Sequence, residues 1–145
     1  MPDSAPATAA PATFSTDGLR FIRTSGLYAT IATVGRDGAP HQARIWYRLE
    51  GETIVINSAV GRRWPTDLQH DPRISLTVAQ GYDWVGLNGV AEPIEDQATA
   101  QADIAAMARA YETPEIAATS IARFRGERRI SFHVHPQRVH EEFEE

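Results

Sequence analysis

The alternation of apolar and polar positions is clearest in Tyr28-Ala-Thr-Ile-Ala-Thr-Val34, a run dense in β-branched residues. It leads into Gly35-Arg-Asp-Gly38, the composition of a tight hairpin turn. A return strand is predicted from His41 to Leu49, a second turn at Glu50-Gly51, and a third strand over Thr53-Ile-Val-Ile-Asn57. Strands joined by such short turns predict an antiparallel meander, not a βαβ crossover. Further strands are predicted over Ile74 to Ala79, Trp84 to Glu92 and Arg128 to His135. In the last of these, Ile130, Phe132 and Val134 share one face, and Ser131, His133 and His135 the other.

Helical spacing is found between these strands. Ser15 or Thr16 can cap a short helix that turns Leu19, Phe21 and Ile22 inward and ends at Gly26. Pro65 is suited to the first position of a helix through His70, which Asp71-Pro72 stops. Asp96 to Tyr111 is the strongest helical pattern, and Thr113-Pro114-Glu115 opens another helix running to about Phe124. The order predicts a mainly β fold with helices at its edges. A six-stranded antiparallel, Greek-key-like barrel or half-open barrel is expected.

Composition narrows the function. The chain has 145 residues and fits one domain. Residues 1–13 are nearly all Ala, Pro, Thr and Ser and are expected to be a disordered tail. The domain is expected over 14–140, and Glu141-Glu-Phe-Glu-Glu145 is expected to be an acidic solubilising tail. A net charge of −5 argues against nucleic-acid binding. Zero cysteines exclude disulfides, thiolate nucleophiles and Cys-ligated metals. There is no apolar run of membrane-spanning length and no signal-peptide pattern, so a soluble, cytoplasmic protein is expected.

Two segments could carry chemistry. In Ser58 through Arg63 a strand ends in a Gly-containing loop, and two adjacent arginines precede a helix. Arginine forks, a Ser hydroxyl and a helix N-terminus all suit phosphate oxygens, although the same residues also suit a solvated turn. The strand Ile45-Trp46-Tyr47, flanked by Arg44 and Arg48, could frame a flat heterocycle or pack in the core. His133 and His135 have no third ligand at metal spacing, so no metal is expected. His41, His70 and His140 stand alone, and no nucleophile elbow, P-loop or dinucleotide fingerprint is present.

Taken in order, these segments resemble the pyridoxamine 5′-phosphate oxidase-like superfamily on the FMN-binding split barrel. The resemblance rests on Tyr28 to Val34, Asp37-Gly-Ala-Pro-His41, Ile45-Trp46, and Ser58 with Gly61-Arg62-Arg63. It continues through Asp71-Pro-Arg-Ile-Ser-Leu76, Gly86 to Glu92 and Arg129-Ile-Ser-Phe132 before Pro136. Within the superfamily the chain looks most like the actinobacterial group that uses the deazaflavin coenzyme F-420. The resemblance implies that Arg44, Ile45 and Trp46 lie along the tricyclic ring and that Ser58, Arg62 and Arg63 hold the phosphate. Trp64 stands where many relatives place a phosphate-binding Lys, so the arginines must supply that charge. A homodimer with the cofactor between subunits is also implied. The implied activity is that of an F-420-dependent oxidoreductase passing a hydride from the reduced coenzyme to an organic acceptor, with no catalytic side chain named. The alternatives are an FMN-dependent reductase and a non-catalytic cofactor or haem carrier with His41 as iron ligand. The Trp and Arg substrate motif of the vitamin B6 oxidases is missing after Val139, so that activity is not expected.

Overall fold

The computed structural model describes residues 11–144; most of the expected N-terminal tail, residues 1–10, lies outside the described residues. The elements run α1 (Thr16–Ile22), β1 (Ala29–Val34), β2 (Pro40–Ile45), β3 (Arg48–Glu50), β4 (Thr53–Ala59) and α2 (Arg63–His70). They continue with β5 (Arg73–Gln80), β6 (Asp83–Ile94), α3 (Gln97–Tyr111), α4 (Pro114–Phe124) and β7 (Arg129–Glu142). The fold is mainly β with four helices, as the residue pattern predicts. None of the described helices is long and apolar enough to cross a membrane.

The sheet has seven antiparallel strands in the order β2-β1-β5-β6-β7-β4-β3, not six. The extra strand arises because the expected run from His41 to Leu49 breaks at Trp46-Tyr47. Tyr47 turns into the core, where its hydroxyl donates to the Ile22 carbonyl at 2.6 Å. The break also corrects the expected meander, since β4 pairs with β3 and β7 and not with β2. β2 and β3 lie at opposite edges of the sheet, yet only two residues join them. Three residue steps span roughly 10 Å at most, so the sheet must roll until its edges nearly meet. It does not close: no ladder joins the two edges, and the barrel is split there.

The inside of the roll is filled by Ile31, Ile54, Ile56, Leu76, Val78, Val85, Ile130, Phe132 and Val134, each almost fully buried. A smaller core lies on the outer side of β4. There Val55 meets Ile104, Met107, Ala117, Ile121 and Phe124 from the α3–α4 hairpin. β4 is therefore covered on both faces, which explains its unbroken apolar run.

Local boundaries shift for physical reasons. α2 begins at Arg63, so Pro65 is its third residue, where a missing N–H still costs no intrahelical bond. β7 continues past the expected stop at His135 because the ladder slips between Asn88 and Gly89. That irregularity accommodates Pro136, which has no N–H to give. The expected acidic tail is corrected in part: Glu141 and Glu142 are paired with β6, and the Glu141 carboxylate accepts from the Ser15 amide at 2.9 Å. The expected helix cap holds, with Ser15 Oγ accepting from the Gly18 amide at 2.9 Å. At the slip, a methyl group on Gly89 would run into the His135 carbonyl. Gly89→Ala is expected to destabilise the protein by about 1–3 kcal/mol, read as a lower midpoint in chemical denaturation.

Candidate functional site

At the end of β4 the chain reverses through Gly61, whose φ of +101° suits a residue without a side chain. α2 then starts at Arg63, after Arg62 in the capping position; the Arg62 side chain caps nothing, so the amides opening the helix have no side-chain acceptor. The Arg63 side chain extends towards the β1–β2 hairpin, where its Nη1 donates to His41 Nε2 at 2.9 Å. A guanidinium can only donate, so Nε2 carries no proton and the imidazole N–H is at Nδ1. That N–H donates to Asp67 Oδ2 at 3.0 Å, and the same oxygen accepts from Thr33 Oγ1 at 2.8 Å. Thr33 and His41 face each other across the β1–β2 ladder, and Asp67 lies one turn after Arg63 on α2. Two strands and a helix are thus tied through one carboxylate oxygen.

Burial of Asp67 pushes its carboxyl up, but hydrogen bonds from His41 and Thr33, with the charge of Arg63, outweigh it. The net effect holds the carboxyl below its ordinary range. A depressed folded-state pKa contributes stability that is present above the unfolded value and lost as pH falls through the folded one. Asp67→Asn is therefore expected to flatten the acid limb of the stability–pH curve while leaving its neutral slope alone. Thermal denaturation from neutral pH down through the carboxylate range checks this.

The network borders an open depression of about 530 Å³ lined by Gly35, Arg36, Asp37, His41, Arg63 and His70. A second depression of about 280 Å³ and less polar character runs along β1 and β5, past Val34, Arg73, Ser75 and Asn88.

The residues expected at the site part company. Arg63 faces the polar depression. Arg62 is exposed and does not line the depression. Burial pulls the Arg129 guanidinium below its ordinary range against the opposing pull of Glu127, and the positive charge of Arg62 adds to the burial. Ser58 is buried within β4 opposite Ile130 and does not line the depression. The Trp64 indole, expected beside the phosphate, is buried in the core with its centroid 5.8 Å from that of Phe132. Its side chain is therefore corrected to a core residue, because Trp64 and Leu68, four apart on α2, turn the same face into the core.

On β2, Arg44 is exposed and lies 4.2 Å over the Tyr28 ring, and Ile45 packs against the core. Trp46, at the strand break, stacks on Tyr111 with centroids 5.2 Å apart and planes 9° from parallel. Arg48 is held by Asp103 at 2.9 Å and is not free to reach a ligand. Sequence reasoning missed Thr33 and Asp67 and left His41 isolated. The available signal was Asp67 itself, a carboxylate between Trp64 and Leu68 on the face of α2 that turns inward.

Several solved structures share this architecture. A conserved hypothetical protein of Mycobacterium tuberculosis, Rv2991, superposes with a TM-score of 0.72 at 19% identity, covering 90% of this chain and 85% of its own. An F-420 reductase gives 0.67 at 20% identity, with 87% and 98% covered. The haem storage protein HutZ of Vibrio cholerae gives 0.67 at 17%, with 87% and 93% covered. No curated protein matches the chain in sequence. The family model of pyridoxamine 5′-phosphate oxidase matches residues 12–141, nearly the whole described chain. With that match and an antiparallel sheet left open between β2 and β3, the chain belongs to the pyridoxamine 5′-phosphate oxidase family.

Proposed function

We propose that the protein is an oxidoreductase that binds coenzyme F-420 and passes a hydride from its reduced form to an organic acceptor. The observation that carries this reading is the placing of Arg63 at the uncapped start of α2, beside the free edge of the sheet. Arg63 and the opening amides of α2 suit a phosphate. Alternate residues of the edge strand β2 turn unpaired backbone groups outward, where Arg44, Ile45 and Trp46 can meet the polar edge of a tricyclic ring. Bound F-420 supplies the hydride. The protein binds and orients the ring, and no side chain is assigned a proton, which solvent can deliver. Similarity to an F-420 reductase supports the reading over FMN, which offers the same ring shape and phosphate.

Haem storage is less well served by this chain. Both ring nitrogens of His41 are engaged, one by Asp67 and one by Arg63, so ligation of iron there would break a bond of the network.

The protein is expected to purify colourless from a host without F-420 and then to bind added F-420 more tightly than FMN. It should oxidise the reduced coenzyme when given a quinone or nitroaromatic acceptor. Recovery of a yellow protein with stoichiometric FMN, indifferent to F-420, would overturn the choice and favour the FMN-dependent reductase. A homodimer is part of the proposal. The outer faces of β1, β5 and β6 present the short side chains Thr30, Ala32, Ser75 and Thr77 beside Gly86, which leave room for a second copy to approach the sheet closely. Light scattering is expected to give twice the 16.0 kDa chain mass.

A further inference from the structure

Arg63 is exposed, and a free arginine side chain on a surface samples many rotamers. Here it does not stand free. One of its five N–H groups is anchored on His41 Nε2 at 2.9 Å, leaving four for a ligand beside the depression that Arg63 lines. The anchor exists only in one imidazole tautomer, the one with its proton on Nδ1. Asp67 selects that tautomer by accepting from Nδ1, and Thr33 fixes the carboxylate by donating to the same oxygen. The Asp67 side chain is only 11% exposed and that of His41 24%, so packing holds the carboxylate and the imidazole in register with the guanidinium.

We propose that Asp67 and His41 are positioning residues for anion binding. The carboxylate sets the imidazole tautomer, and the bare Nε2 holds the Arg63 guanidinium towards the depression, ready for the phosphate of the cofactor. The inference rests on the functional reading above for the identity of the ligand, but not for the arrangement of the three side chains. Neither His41 nor Asp67 touches the anion. Their effect is to remove the ordering cost that Arg63 would otherwise meet on binding.

Two substitutions at one position separate this role from a structural one. In His41→Gln the longer amide can place its oxygen near the position of Nε2 and still accept from Arg63. In His41→Asn the shorter amide can place its nitrogen near Nδ1 and still satisfy Asp67, but it offers Arg63 nothing. If His41 served only to satisfy Asp67, Asn would be the better replacement. The positioning role makes Gln the better one.

Full-length wild type and both variants would be titrated calorimetrically with F-420, FMN and inorganic pyrophosphate. His41→Asn is expected to bind the anions about three- to tenfold more weakly, and His41→Gln to stay close to wild type. In parallel, nitrogen-15 spectra of the ligand-free proteins read the Arg63 guanidinium protons and the His41 tautomer. The guanidinium signal should be protected in wild type and His41→Gln and lost in His41→Asn, with the proton of the wild-type ring on Nδ1. Equal affinities in all three proteins, or a weaker His41→Gln than His41→Asn, would overturn the proposal. If wild type takes up none of the three ligands, the cofactor reading fails on its own, and the spectra still decide. Protection that follows the Gln and Asn variants as stated supports the positioning role, and a wild-type ring protonated on Nε2 refutes it.

Discussion

Arg129→Met is expected to lower stability by about 3–5 kcal/mol, the loss that follows when one member of a buried charged network is removed. The Arg129 side chain is only 6% exposed. Its Nε donates to Asn57 Oδ1 at 3.0 Å and its Nη1 to Glu127 at 2.6 Å, and its guanidinium lies over the Phe124 ring. The contacts do not end there. Asn57 donates to the Ala100 carbonyl and to Ser131 Oγ, and Ser131 donates to Asp103, which also accepts from Arg48. This network joins β3, β4 and β7 to α3, and through Phe124 to α4. Methionine fills much of the same volume but leaves Asn57 Oδ1 without its donor in a covered site. Denaturant unfolding of the variant against wild type measures the loss. A change below 1 kcal/mol would mean that water enters freely and that the helices are held by the apolar contacts around Val55 alone.

The second large effect is expected at the site. Replacing Arg62 and Arg63 together with alanine should weaken cofactor binding by about 2–4 kcal/mol, from lost charge-assisted hydrogen bonds. Folding should hardly change, because both arginines are exposed. The structure divides the pair, since Arg63 lines the depression and Arg62 does not. Arg63→Ala alone should therefore reproduce most of the loss. Binding should also weaken as salt rises, with screening over about 8 Å at physiological ionic strength. Affinity unaltered in the double variant would remove the phosphate from this end of α2.

Much of the fold is legible in the chain because its signals are local. Ser15, Asp96 and Thr113 cap their helices as their types suggest. The alternation in Tyr28 to Val34 and in the stretch from Arg129 reports strands with one face in the core. What local pattern could not reveal was the break at Trp46-Tyr47. Both residues favour strands, and the turn is held by tertiary contacts, of Tyr47 with Ile22 and Tyr111 and of Trp46 with Tyr111. The partition of the site was hidden for a similar reason. Arg62, Arg63 and Trp64 are consecutive, but successive residues around a helix start point about 100° apart, so neighbours in sequence become strangers in space. Asp67 and His41 are 26 residues apart and meet only through the packing of α2 on the hairpin.

The strand order has a consequence for synthesis. β2, β1, β5 and β6 can assemble as one ribbon and β3 with β4 as another, but β7 alone bridges them. Until that seventh strand emerges, the nascent chain carries two unfinished ribbons with bare inner edges at β6 and β4. Such edges readily accept a foreign strand, so the waiting interval is when this chain is most exposed to mispairing with its neighbours on a polysome.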